Sequence, residues 1–544
     1  MKKTSAAVLS LLLIVTAAVF SGCFQASPET SFDLIIKGGR VYDGTSGKPR
    51  IADIGIKGDK IAAVGNFTGK AAKTIPAAGL IVTPGFIDVH SSTDLILQEK
   101  GIWRILAYIK SSINGNHNYL YQGVTSIVTG NDGRGYTNTA KWLDWSESLQ
   151  FGVNVCHLAP AGAIRNEIFT NRESKPLEEN EHNILKKRLL KELDNGAVGI
   201  SFDLSRNPDK LLTREELADI AASIKPYGGI ISLKLRNTSG RRDASGNPAF
   251  VASLQEVVEI ARLSQAPLEI SALKLTAPWK NVNSGRISAI ISSARQEGID
   301  ITADQSPYDA EVDVLTGFLP PEYVTGNYEI KKEYTTAEGK NSLLQAIDKL
   351  FTFTEPEKFL IVSSPADKFY LGKTIRQIAV IKGKSPAHCF LEMALTSPQP
   401  LASVFAVNDH FAKKIMPSPF IFTAAEGIAY TPGGVFPHPG YWGTFPRKLR
   451  KYALEDKIVH FNDAIRSMTA LPAEKFKLRG RGQIAVGFFA DIAVIDLKKI
   501  KDKATFLQPE QYAAGVEYLI VNGILSLEKG EITGKKGGRA LKRI

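Results

Sequence analysis

The stretch Thr83-Pro84-Gly85-Phe86-Ile87-Asp88-Val89-His90 constrains the fold of this chain more than any other. An apolar run stops at Pro-Gly, restarts as Phe-Ile-Asp-Val, and delivers a histidine at the end of a short strand. A polar side chain at the C-terminal end of a buried strand is what a parallel barrel presents at its mouth. With 544 residues the chain can bury a large core and form more than one domain. Its 44% hydrophobic and 22% charged content describes a globular protein, not a disordered one.

Downstream the pattern repeats. Residues 123–130 read as a strand arriving at Asn131-Asp132-Gly133, and 153–158 as another. Residues 197–201 follow a charged helix over about 179–193. Thr213-Arg214-Glu215-Glu216 resembles a capping box, opening the helix that precedes a strand at 229–234. Residues 267–272 and 299–304 supply further strand ends. This alternation predicts an α/β fold, a TIM-like (β/α)8 barrel over residues 83–475. Residues 309–364 lose the rhythm and predict a segment inserted over the mouth. Residues 31–82 and 476–544 read as short strands broken by glycine turns. Neither set can bury both of its faces alone, so the two ends are expected to form one small β-sandwich.

The N-terminus stands apart. Met1-Lys2-Lys3 is basic, residues 6–20 are apolar, and Ser21-Gly22-Cys23 follows, the layout of a signal peptide over residues 1–22. Phe20-Ser21-Gly22-Cys23 resembles a lipobox, which would make Cys23 a lipidated first residue and 23–30 a tether. The expected location is then the bacterial cell envelope, lipid-anchored on the periplasmic side. Phe24 after the cysteine favours the outer membrane. An ordinary secretory signal is the other reading. Processing removes Lys2 and Lys3 from a formal charge of +12, leaving an excess suited to anionic lipid or envelope polymer. No basic run carries interleaved aromatics, so nucleic acid is not an expected partner. Cys156 and Cys389 are either a pair formed in an oxidising compartment or two buried thiols.

Thr83 to Asp94 resembles the first-strand signature of the amidohydrolase superfamily, in its D-aminoacylase branch, whose pattern is P-G-F-I-D-x-H-x-H. The resemblance covers nearly all of residues 31–544 and implies C–N hydrolysis of an N-acyl-D-amino acid or similar amide, with zinc held by histidines, a cysteine and an aspartate. His90 matches the first histidine, but Ser92 stands at the second. Asp132 stands at the cysteine of G-N-C-G, Lys234 and Ala272 stand at two further histidines, and Glu426 stands at the aspartate that serves as ligand and general base. His90, Asp132 and Glu426 remain as candidate metal donors, for one weakly bound zinc or none. Serine is a poor zinc ligand, and an ammonium competes with a cation for the same carboxylates. Lys234 is therefore expected to pair with Asp132 or Glu426, or else to extend to solvent. Lys274, Tyr308 and Arg447 match the positions that meet the substrate, a small acyl amino acid or similar anion. Three outcomes stay open: a deacylase, a binding protein without metallohydrolase chemistry, and a hydrolase with a rebuilt mono-metal or metal-free site.

Overall fold

The computed structural model describes residues 31–98, 105, 109–170, 175–242, 246–277, 282–325, 329–428 and 438–543. The expected signal peptide, the tether and Cys23 lie outside them. Among the described residues no helix is long and apolar enough to cross a membrane.

Eight parallel strands form the barrel: β1 (Phe86–Asp88), β2 (Val124–Thr129), β3 (Asn154–Pro160), β4 (Gly199–Asp203), β5 (Ile230–Lys234), β6 (Leu268–Ser271), β7 (Ile301–Gln305) and β8 (Ile421–Thr423). Neighbours in this order are hydrogen-bonded from β1 to β8. The ring closes just beyond the first and last strands, where the Ser92 amide donates to the Gly427 carbonyl at 2.7 Å and the Gly427 amide donates to the His90 carbonyl at 3.1 Å. Every residue of β2 and β3 is buried, as expected of parallel strands covered on both faces.

Local chemistry explains the helices between them. The Thr213 hydroxyl accepts from the Glu216 amide and the Glu216 carboxylate accepts from the Thr213 amide, so the expected capping box opens the helix Arg214–Ser223. The charged helix forms over Glu179–Asp194 and buries only one stripe, including Leu185, Leu189 and Leu193. These leucines join Ile200, Phe202, Ile231 and Leu233 in the largest core, packed between strands and helices.

The two chain ends share one nine-stranded sheet rather than two separately bonded layers. The joint is antiparallel, Ile81–Pro84 against Ile492–Ile495, and the long strand Ser31–Val41 passes on to Arg50–Lys57. The sheet bends about a common core, in which Ile36, Ile54 and Ile56 from the N-terminal end meet Ile492, Val494 and Ile520 from the C-terminal end. The inserted unit has its own three-stranded sheet, Glu311–Val314 and Phe359–Ser363 on either side of Leu401–Val404, and its own core around Phe359 and Phe390. It therefore runs past the boundary at 364 expected from sequence, because its central strand comes from residues 401–404.

Cys156 and Cys389 are free, buried thiols in different cores, so the disulfide alternative does not form. Burial pushes the Cys156 thiol up to about 12. A reductant is therefore expected to leave the thermal unfolding midpoint unchanged; a fall on adding dithiothreitol would contradict this pairing state.

Candidate functional site

The polar residues singled out by sequence converge at the C-terminal mouth of the barrel. Asp203, Lys234 and Ser271 end β4, β5 and β6 and lie side by side in register. Asp304 is the penultimate residue of β7, while His90, Asp132 and Glu426 follow β1, β2 and β8. Asp132, Ala272 and Glu426 all have left-handed backbones, with φ of 55°, 51° and 49°. For residues with a β-carbon this conformation costs about 1–2 kcal/mol, and such cost concentrates where side chains must be aimed at a site.

At the base of the mouth is an array of opposite charges. The Lys234 ammonium donates to Asp132 Oδ2 at 2.7 Å and sits 4.0 Å from Asp203 Oδ2. His90 lies between two carboxylates, Nε2 3.6 Å from Asp132 Oδ2 and Nδ1 3.5 Å from Asp304 Oδ2. The Ser271 hydroxyl donates to Asp132 Oδ1 at 2.8 Å and lies 3.2 Å from His90 Nδ1. Burial alone would lower His90, but the charges of Asp132 and Asp304 carry it well above the ordinary histidine range. Burial would raise Asp132, yet Lys234 and His90 hold it well below the carboxylate range. Burial would lower Lys234, and Asp132 with Asp203 holds it above the lysine range. Imidazolium and ammonium thus hold Asp132 ionised. Deeper still, burial and then the Asp304 carboxyl push Glu269 well above its usual value, and Ser232 Oγ donates to it at 2.5 Å.

Above the array lies a cavity of about 230 Å³, lined by Lys274, Glu311, Glu426, Tyr308, Arg206 and His438 among others. Lys274 Nζ lies 2.5 Å from Glu311 Oε1 and 3.4 Å from Glu426 Oε2. Burial would raise Glu426, but the ammonium of Lys274 and then the charge on His90 bring it down to about 2. Tyr308 is buried with its hydroxyl 3.4 Å from the Pro439 carbonyl and its ring beside His438. Arg447, expected to meet the substrate, does not line the cavity. Its guanidinium lies over the Tyr308 ring, donates to the Pro307 carbonyl at 2.9 Å and pairs with Asp502 at 3.1 Å, so it braces the wall from behind.

The comparisons with known proteins agree with this fold. The chain is 27% identical to the D-aminoacylase of Alcaligenes xylosoxydans xylosoxydans over 545 residues, spanning 95% of this chain and 99% of that protein. It is 28% identical to the N-acyl-D-glutamate deacylase of the same organism over 508 residues, 91% of this chain and 93% of the relative. A crystal structure of D-aminoacylase superposes with a TM-score of 0.74 at 26% identity, covering 94% of this chain and all 100% of that one. The model described as the amidohydrolase family matches residues 431–525. Along nearly its whole length the chain is similar to the D-aminoacylase branch of the amidohydrolase superfamily.

The residues that the sequence resemblance expects at the ligand positions, His90, Ser92, Asp132, Lys234, Ala272 and Glu426, include few electron-pair donors. Of the candidate donors, His90 and Asp132 are brought together, whereas Glu426 is directed to Lys274. Among the described residues no group of three or more His, Cys, Asp or Glu is arranged to hold a metal ion. Ala272 has a left-handed backbone at the mouth, and its methyl side chain offers no electron-pair donor. Three residues of the site went unrecognised in the sequence. Asp304 and Ser271 sit at strand ends, a signal available in Ala303-Asp304-Gln305 and in Ile270-Ser271-Ala272. Glu311 belongs to the inserted unit, and nothing local marks it as a partner of Lys274.

Proposed function

We propose that this protein is a D-aminoacylase-type barrel that binds a small acyl amino acid or similar anion without zinc-dependent deacylase chemistry, displayed on the bacterial envelope through lipidated Cys23. The observation that carries the reading is the 2.7 Å contact of the Lys234 ammonium with Asp132. A hydrolytic zinc needs several neutral or anionic donors and an open coordination position. Here one imidazole is flanked by two carboxylates, and one of these, Asp132, is already neutralised by a lysine. The residues do not fit the metal, and a fixed organic cation stands in for its charge.

The binding half of the site keeps more of its chemistry. Lys274 is a cation facing the cavity, with Arg206 also in the lining. Glu311 from the inserted unit holds Lys274 as a ligand carboxylate would, so an incoming anion replaces Glu311 on the ammonium. The Lys274 ammonium 3.4 Å from Glu426 occupies the carboxylate that a rebuilt metal-free hydrolase would use as its base.

Calorimetry with N-acetyl-D-amino acids on the purified chain tests this. Binding without turnover is expected, with or without added zinc. Lys274→Gln should weaken binding about 10- to 100-fold, the usual loss of a charge-assisted hydrogen bond, and Glu311→Gln should tighten it by removing the competitor. Two tightly held zinc ions per chain, with hydrolysis that rises as zinc is added, would show a working deacylase instead.

A further inference from the structure

The opposite end of the barrel carries a second hollow, about 720 Å³, that the proposed function leaves unused. It is bounded by Val198 and Ile230 at the entrances of β4 and β5, by residues 476–481, and by the C-terminal tail over residues 539–543. Its charge is one-sided, with seven lysine and arginine side chains against a single acid, Glu147.

Four of the seven cations already have protein partners. Arg481 pairs with Asp491 and lies over the Phe489 ring. Arg539 reaches Asp59 at 2.5 Å, Lys542 reaches Asp144 at 3.3 Å, and Arg543 donates to the carbonyls of Leu193 and Tyr227. Lys225, Lys477 and Arg479 are exposed and have no ion-pair or hydrogen-bond partner among the described residues. Gathering uncompensated like charges opposes folding, and it also raises the local concentration of anions. The tail is held firmly, with the Val155 amide donating to the Arg539 carbonyl at 2.9 Å and the Leu541 amide to the Val155 carbonyl at 2.7 Å. The cations therefore stand on a rigid frame, with the apolar side chains of Phe476, Leu478 and Leu541 between them.

The hollow lies on the side where the N-terminal strand begins. Asp33, near the start of Ser31–Val41, accepts from the Gly58 amide at 2.6 Å. The next residue, Asp59, pairs with Arg539 of the rim, and the Lys60 ammonium lies 3.1 Å from the centre of the Phe489 ring. The first described strand thus starts on the side of the basic rim.

We propose that this basic face docks on the phosphate groups of an anionic lipid surface, turning the mouth with Lys274 away from the membrane. The proximity to lipid rests on the envelope-anchor reading above, while the charge recognition does not. Each basic side chain near an anionic membrane contributes about fivefold in affinity, so the three free cations together are worth on the order of a hundredfold.

The full chain on vesicles tests this with two separate readouts. Flotation with phosphatidylcholine vesicles reports the anchor alone. Amide exchange over residues 225–230, 476–481 and 539–543 reports the docking face. These segments are expected to exchange about tenfold more slowly on phosphatidylglycerol than on phosphatidylcholine vesicles. The difference should vanish in about 0.5 M salt and in the triple variant Lys225→Gln, Lys477→Gln, Arg479→Gln, whose exposed positions leave the fold intact. Selective protection on phosphatidylglycerol by a chain that fails to float on phosphatidylcholine would support the face and discard the anchor. Equal exchange on both lipids would overturn the proposal, as would an unchanged triple variant. Protection by inorganic phosphate in solution with none on vesicles would also overturn it, leaving a soluble-anion site.

Discussion

Lys234→Met is expected to destabilise the protein by about 3–5 kcal/mol, the usual loss when one member of a buried ion pair is removed. Its ammonium is the nearest cation to Asp132, at 2.7 Å, and both side chains are mostly buried, 21% and 16% exposed. Without Lys234 the Asp132 carboxylate keeps only the longer 3.6 Å approach of His90 and the hydroxyl of Ser271. The cost comes from the stranded charge rather than from the lost contact, so the double variant Lys234→Met, Asp132→Asn should recover more than half of it. Urea unfolding of the four proteins in this cycle measures the coupling directly. A single-variant cost below about 1 kcal/mol would mean that the pair behaves as a solvated one and does not replace a metal's charge.

Lys448→Met is expected to act in the opposite direction. Lys448 is 2% exposed, at the start of the π-helical turn Lys448–Glu455, and its ammonium has no ion-pair or hydrogen-bond partner among the described residues. Burial pulls its pKa down to about 7. Well below pH 7 both folded and unfolded chains carry the proton, and the native state bears the full cost of a buried charge. Between about 7 and the unfolded value near 10.4 only the unfolded chain holds it, so stability climbs with pH; above that window the cost is gone. Replacement by methionine should therefore stabilise by an amount on the order of 4 kcal/mol at pH 6 and by little at pH 10.5, since one pKa unit corresponds to about 1.4 kcal/mol. Unfolding of wild type and variant at the two pH values decides it. An equal difference at both would show that Lys448 is not a buried titrating group.

The barrel was legible because strand ends and turns are local. Pro84-Gly85, the capping box at Thr213 and the apolar runs ending at Asp132 and Lys234 mark their elements without help from distant residues. The same locality explains what was missed. Nothing local in residues 401–404 ties them to the inserted unit, and only their pairing with Glu311–Val314 and Phe359–Ser363 assigns them to it. Arg447 matches a substrate-binding position by motif, yet the Tyr308 ring and Asp502 hold its guanidinium behind the wall. Glu426 matches a general base by position, and only the fold shows that its carboxylate lies 3.4 Å from the Lys274 ammonium.

The amino-acid order on its own determined which side chains stand at the barrel mouth, since residue identity at a strand end needs no partner to be read. Which charges neutralise one another was decided only in three dimensions. Lys234 meets Asp132 across 102 positions of chain and Lys274 meets Glu426 across 152. Coulomb interactions and desolvation depend on distances of a few ångströms through space, and closure of the barrel sets those distances.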